Sequence, residues 1–357
     1  MFSDIKMNEK TQRFIKRGVL ILVALTILLG VGYLVFTWYR PINPPLELEP
    51  TADMADNQGG LDSELNGNQT TAAGESLPDP ICGGPPTMMV IVTGVASENY
   101  LYGLADAIRV ARIDFQTQQV SVLALPRDLW VEIPGLESRG ITEGKLNQAY
   151  FYGTEGMGYY NGSGYGSGLL AESLMNNYGL VSDHYLSVNQ DSFREIINTL
   201  GGIDVYLPQD VYKRIDDQPV LFLKAGHHHL NGKQAEMLAR QRITIGDFGR
   251  INNQTIILRA TAAKILSPSG LTTIPTLVEQ LKSNVQTDFS PAEISQLICL
   301  AGRLDFQEDL QFTTLPEDYL VEKMVYDPVR DLNTAALLGD HDKIRALMED
   351  FMAGMWP

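Results

Sequence analysis

An apolar run of about twenty residues, Val19 to Trp38, limits what this chain can become more than any other feature. Twenty helical residues rise about 30 Å, the thickness of a bilayer's hydrocarbon core. Lys6, Lys10, Arg13, Lys16 and Arg17 precede the run, whereas Glu47, Glu49, Asp53 and Asp56 follow it. The positive-inside rule makes residues 1–17 a cytoplasmic basic tail, 18–39 a transmembrane helix, and everything beyond Arg40 extracytoplasmic. Tyr33, Trp38 and Tyr39 fall near the outer headgroup boundary, which favours amphipathic rings. A cleavable signal peptide is the rival reading, but the run is long for an h-region and TWYRPINPP offers no small-residue cleavage site.

From residue 40 to 86 the chain is rich in Pro, Gly, Asn, Thr and acids with few aliphatics. Such a composition cannot offset the entropy of ordering, so a disordered tether is expected. Beyond it, MMVIVTGV, DAIRVARID and QVSVLALP read as β-branched strands, two of them apolar enough for a sheet interior. GLLAESLMNNYG reads as a helix, HYLSVN as a strand, QDSFREIINTLGG as a helix closed by glycine, and GGIDVYL as a strand. The alternation predicts a layered α/β domain over residues 87–268. A helix begins near Asn231, and RINNQTIILRATAAKIL forms another. Residues 269–357 are expected to be a mostly helical extension packed on that domain. Ser290, Pro291 and Glu293 start one helix there with a cap, a first-turn proline and a capping-box acid; QFTTLP is its one strand.

Arginines gather in ARQRITIGDFGRINNQ, where Arg240, Arg242 and Arg250 flank a Gly-bearing turn of a chain whose net charge is -16. A guanidinium offers a planar fork of donors that fits phosphate oxygens in pairs, so the cluster points to a multiply charged anion. The bland reading is a solvated surface. Arg250 and Gln254 are one helical turn apart and share a face. A second cue is Pro126, Arg127, Asp128 at the end of VSVLALP: the proline takes the chain out of the sheet and leaves Arg127 at a strand end, where α/β sheets hold ligands.

Taken in order, ADAI at Ala105, PRD at Pro126, KLNQAY at Lys145, GGIDV at Gly201, RQR at Arg240 and GDFGRINNQ at Gly246 resemble the motifs of the LytR-CpsA-Psr family of bacterial cell-envelope proteins. The resemblance spans roughly residues 88 to 266 and implies a layered α-β-α domain with a central mixed sheet behind one membrane helix. It implies a transferase that moves a glycopolymer from an undecaprenyl-pyrophosphate carrier to peptidoglycan. Arg127, Arg240, Arg242 and Arg250 would then grip the pyrophosphate, Gln254 would add a hydrogen bond, and Asp106 would hold magnesium, or manganese in its place. Asp247 would orient the arginines or accept the hydroxyl proton, or else cap the following helix. Lys145 and Asn147 lie in the turn that shapes the site. Three positions depart from the pattern: Ala96 follows the first strand where a second Asp is expected, Leu104 stands for an Arg before Asp106, and Asn253 stands for the Arg before Gln254. Glu98 is the acid nearest the first gap. The partners implied are the lipid-linked glycan, peptidoglycan and the bilayer, and the location is the bacterial cell membrane. Readings of another class are an inactive polyprenyl-phosphate binder that regulates or scaffolds the envelope, and a pyrophosphatase with water as acceptor.

Other motifs carry less. GDFG lacks the catalytic loop and strand lysine a kinase needs, and GITEGKL lacks the glycine spacing and hydroxyl of a P-loop. GSGYGSG at Gly162 to Gly168 reads as a mobile loop bordering the site. His227, His228 and His229 are adjacent, and three neighbours cannot all reach one ion from regular structure. The net charge disfavours nucleic acid as a partner. Cys82 and Cys299 either form a disulfide pinning the tether's end to the C-terminal helices, or Cys299 is buried and free.

Overall fold

The computed structural model describes residues 41–48 and 78–356, apart from 243–245 and 282–283. The expected membrane run Val19–Trp38 and residues 49–77 of the tether lie outside the described residues. Among the described residues, no helix is long and apolar enough to cross a membrane.

The chain first lays down an antiparallel meander of β1 (Thr87–Val95), β2 (Ala105–Asp114) and β3 (Gln119–Leu125). A small ladder of β4 (Trp130–Glu132) and β5 (Glu143–Lys145) leads into α1 (Leu146–Gly153) and α2 (Gly166–Tyr178). Then come β6 (His184–Asn189), α3 (Gln190–Thr199), β7 (Ile203–Leu207), the hairpin β8 (Val211–Ile215) and β9 (Gln218–Leu223), and β10 (Gly226–Leu230). Helices α4 (Gly232–Ala239), α5 (Gly246–Leu266) and α6 (Pro268–Leu281) follow. The last part is β11 (Val285–Thr287), α7 (Pro291–Ala301), β12 (Leu310–Thr314), the hairpin β13 (Leu320–Asp327) and β14 (Leu332–Gly339), and α8 (His341–Ala353).

Six strands form the central sheet in the order β11-β6-β1-β2-β3-β12, with β6 parallel to β1 and β12 parallel to β3. Because both faces are covered, β1 is apolar at nearly every position rather than at alternate ones. Met89 and Ile91 face one layer with Ile108, Leu123, Leu170 and Ile344. Met88 and Val90 face the other with Ala111, Val122, Phe289 and Leu300. A separate apolar cluster joins α3, β7, β10, α4 and α5 through Ile197, Val205, Leu230, Leu238 and Ile257. Thus α5 packs its own face against that cluster while Leu258 meets the sheet.

Three expectations need correction. Residues 269–357 do not make a mostly helical extension: β11 and β12 are the two edges of the central sheet, so the division at residue 268 cuts through one folded unit. GSGYGSG is not a free loop either, since Gly166 and Gly168 sit buried in the first turn of α2 against the Tyr150 ring and the Ser163 carbonyl, where a Cβ would clash. At the tether, the described ends are held on the domain. Asn43 Nδ2 donates to the Thr287 carbonyl at 2.8 Å, Leu46 and Leu48 pack on the core, and the Ile81 amide donates to the Phe115 carbonyl at 3.0 Å. The histidine run is β10, with His229 Nδ1 bonded to Asp204 at 2.7 Å and His228 Nε2 to the Lys224 carbonyl at 2.7 Å.

Cys82 and Cys299 form a disulfide across 217 residues of chain, tying the segment before β1 to α7. Closing a loop that long removes on the order of 5 kcal/mol of unfolded-state entropy in the chain-entropy picture. Reduction, or Cys82→Ser, is expected to lower the melting temperature of the protein by several degrees, measured by calorimetry; an unchanged melt would contradict that role. Nearby, α7 begins at a reciprocal cap in which Ser290 Oγ accepts from the Glu293 amide and Glu293 Oε2 accepts from the Ser290 amide. His184 lies between Asp288 at 3.4 Å and Glu293 at 3.5 Å. Burial pulls its pKa down, but Asp288, Glu293 and Asp183 outweigh that and hold it above the ordinary value. A raised folded pKa means stabilisation that is complete below about pH 6.5, the unfolded value, and is lost as pH rises through the folded one. The melting temperature is therefore expected to fall as pH rises above about 6.5, and His184→Gln to flatten that slope.

Candidate functional site

Ion pairs converge where β2 begins and β3 ends. Pro126 takes the chain out of the sheet, and Arg127 Nη1 reaches Asp106 Oδ1 at 2.5 Å. Asp106 Oδ2 lies 4.0 Å from Nη1 of Arg250, on the second turn of α5. One carboxylate thus stands between two guanidiniums distant in sequence. Arg250 is 2% exposed, and the Asp106 side chain is 30% exposed, so the cluster opens to solvent on the carboxylate's side.

Neighbouring elements fix these groups. Arg127 Nε lies 3.3 Å from Asp128 Oδ2, and Lys145 Nζ binds Asp128 Oδ1 at 2.9 Å. The Asn147 amide donates to the Arg127 carbonyl at 3.0 Å, so the turn into α1 sets the backbone that carries Arg127. Lys145 and Asn147 accordingly hold the site's frame. Gln254 acts as a clasp rather than an open donor: its Nε2 donates to the Asp106 carbonyl at 3.3 Å and the Ala239 carbonyl at 3.4 Å. That ties β2, the end of α4 and α5 together.

Arg109 was not a candidate on sequence grounds, and the structure places it in the cluster. It is 5% exposed on β2, with Nη2 donating to Gln254 Oε1 at 3.2 Å and Nη1 to the Ile108 carbonyl at 3.0 Å. Burial, and then the Arg250 charge, pull its guanidinium down to about 10. An arginine in a strand that lies between two strands apolar enough for a sheet interior was the available signal, because a buried guanidinium demands partners. Among the described side chains the cluster holds the cations Arg109, Arg127, Lys145 and Arg250 and the carboxylates Asp106 and Asp128. A half-buried cluster with excess positive charge among its described side chains favours a multiply charged anion.

Other expected residues sit differently. Arg240 caps the end of α4, its side chain 63% exposed and paired with Glu236 at 3.0 Å, a carboxylate that Arg194 also binds. Arg242 is exposed as well. Asp247 falls in the first turn of α5, where a carboxylate meets the positive end of the helix dipole; its side chain lies outside the described residues. Glu98 is exposed in the loop between β1 and β2, a loop closed by the Ala96 amide donating to the Leu104 carbonyl at 2.9 Å. Asn253 is buried.

For a divalent metal, no group of three His, Cys, Asp or Glu side chains converges among the described residues. Magnesium takes one or two carboxylates and completes its octahedron with water and phosphate oxygens, so the half-buried Asp106 fits as a single protein ligand.

The layered sheet with a guanidinium cluster where β2 begins and β3 ends defines a mixed α/β domain. A family model described as the LytR_cpsA_psr family matches residues 86–340, and the chain belongs to that family. The match runs through β11, β12 and the β13–β14 hairpin, in line with the single folded unit described above. A polyisoprenyl-teichoic acid–peptidoglycan teichoic acid transferase, TagV of Bacillus subtilis, is 28% identical over 79% of this chain and 66% of its own length. A transferase of the same description, TagU of Enterococcus faecalis, is 27% identical over 60% of this chain and 66% of its own length. The chain thus spans slightly under two thirds of these two relatives. The crystal structure of B. subtilis TagV superposes with a TM-score of 0.59 at 25% identity, covering 76% of this chain and 98% of that one.

Arg109→Met should release Gln254 and loosen α5 from β2. Binding of inorganic pyrophosphate, followed by titration calorimetry on the full chain, is expected to weaken about tenfold, the worth of one charge-assisted hydrogen bond. Unchanged affinity would show that Arg109 is only a packing residue.

Proposed function

We propose that this chain is a membrane-anchored phosphotransferase of the bacterial cell membrane that moves a glycopolymer from an undecaprenyl-pyrophosphate carrier to peptidoglycan. The observation that carries the reading is the meeting of Arg127 and Arg250 on Asp106. The names of the relatives, transferases of polyisoprenyl-linked teichoic acid to peptidoglycan, support the substrate class.

In this reading an acceptor hydroxyl attacks the sugar-side phosphorus of the pyrophosphate. A new phosphorus–oxygen bond forms, the bond to the bridging oxygen breaks, and undecaprenyl phosphate leaves with that oxygen's electron pair. The non-bridging oxygens carry about two negative charges, and phosphoryl transfer requires them to be neutralised while the reacting oxygens are held in line. Arg127 and Arg250 grip those oxygens, and Arg109 and Gln254 keep Arg250's helix in place. Arg240 and Arg242, exposed at the rim, meet the glycan side of the pyrophosphate as the donor enters. Asp106 would hold magnesium or manganese, which would add positive charge against the phosphate oxygens. Asp247 takes the hydroxyl proton in this scheme.

The departures at Ala96, Leu104 and Asn253 favour a second reading, a protein that binds the lipid-linked anion without turnover and regulates or scaffolds the envelope. One assay separates the two. Purified full chain is incubated with a polyprenyl-pyrophosphate-linked sugar, peptidoglycan and magnesium, and release of polyprenyl phosphate is followed. A transferase releases it, and Arg127→Ala lowers kcat/KM by about 10²–10³, the usual loss of one preorganised donor at a developing charge. Binding with no release would establish the non-catalytic reading, and release with water but not glycan as acceptor would establish a pyrophosphatase.

A further inference from the structure

The first turns of α5 serve two neighbourhoods. Arg250 and Gln254 meet the ion cluster, while Phe248, Asn252, Asn253 and Ile256 meet the turn between β7 and β8. With Leu207 at the end of β7 and Gln209 from that turn they line a cavity of about 300 Å³, at the lower end of small-ligand sites. The described residues lining it carry no charge: amides from Gln209, Asn252 and Asn253 stand over an apolar floor with one aromatic ring. Asn253 is 6% exposed, and its Nδ2 has no hydrogen-bond partner among the described residues. A buried amide donor left unmade is unfavourable, so native structures seldom keep one without a ligand or water to accept from it.

Those properties select a ligand class. The described lining offers no counter-charge to a phosphate or to a cation, and a purely apolar ligand would strand the buried Asn253 amide. A pyranose ring meets both demands, with hydroxyl or acetamido groups for the amides and C–H faces for Phe248 and the aliphatic side chains. Arg250 and Asn253 are three residues apart on one helix, so their Cβ atoms lie about 5–6 Å apart. A sugar held there sits beside the anion held by Arg250.

We infer that this cavity is a sugar-binding subsite, with Asn253 donating to a hydroxyl or acetamido oxygen of a neutral hexopyranose. The inference deepens the proposed transfer reaction and rests on it only for which glycan arrives: the acceptor strand, or the donor polymer's sugar next to the phosphate.

The test uses the full chain in detergent and two probes, chitotetraose for the acceptor source and N-acetylglucosamine 1-phosphate for the donor source. Affinities are read by saturation-transfer NMR titration, without turnover, so failure of the transferase reading leaves this result intact. At least one probe should bind, and Asn253→Leu, which keeps the bulk and removes the amide, should weaken it about tenfold. Gln209→Ala, at an exposed turn where folding is not at stake, should weaken the same probe in the same direction. Loss of chitotetraose binding that Arg250→Ala does not reproduce assigns the subsite to the acceptor. Loss of the sugar phosphate in both Asn253→Leu and Arg250→Ala assigns it to the donor. If neither sugar binds, or both bind the wild type and the two amide variants equally, the cavity is no sugar site.

Discussion

The Asp106 carboxylate between Arg127 and Arg250 is the interaction on which the rest of this structure depends. Two guanidiniums brought out of water repel each other, and a shared anion between them turns that repulsion into a three-body attraction. Among the described side chains Asp106 and Asp128 are the carboxylates beside Arg109, Arg127, Lys145 and Arg250, with Asp128 shared between Arg127 and Lys145. In the proposed function that arrangement is what receives a second, more highly charged anion.

Much of the architecture follows from holding those groups still. Pro126 ends β3 so that Arg127 leaves the sheet beside the start of β2, and the α1 turn bonds its carbonyl from below. Helix α5 is fixed from two directions: its apolar face packs with α3, α4 and β7, and Gln254 clasps the backbone of β2 and α4. Preorganisation of this kind matters for phosphoryl transfer, where the protein does little covalent chemistry and catalysis comes from positioned charge. Where α5 turns its other face to β7 and β8 the described lining is uncharged, so in the proposed reading one helix serves a phosphate and a neutral group side by side.

The sheet was legible in the sequence because strands covered on both faces must be apolar throughout, and MMVIVTGV and QVSVLALP have no other use for such runs. Arg127 and Arg250 were legible through the motifs that carry them. What escaped was whatever breaks the periodic signal. The β8–β9 and β13–β14 hairpins expose Ile215, Val220, Val321 and Met324, so their apolar residues do not alternate toward a core. The edge strand β11 has three residues, too few to show a period. Arg109 escaped because a charged residue in a strand reads as its solvent side, whereas α5 covers that side here. Arg240 shows the converse: its place in an arginine-rich stretch marked it for the cluster centre, but the helix ends one residue earlier and Glu236 takes the side chain outward.

Whether Arg127 and Arg250 act together on one anion is read from a double-mutant cycle. Affinity of the full chain for farnesyl pyrophosphate, a short polyprenyl diphosphate, is measured for the wild type, Arg127→Ala, Arg250→Ala and the double variant. Groups sharing one ligand couple, and the account predicts an interaction of about 1–3 kcal/mol, with the double variant losing clearly less than the sum of the singles. Strict additivity, or undiminished affinity in either single variant, would mean that the two guanidiniums do not meet on a common anion.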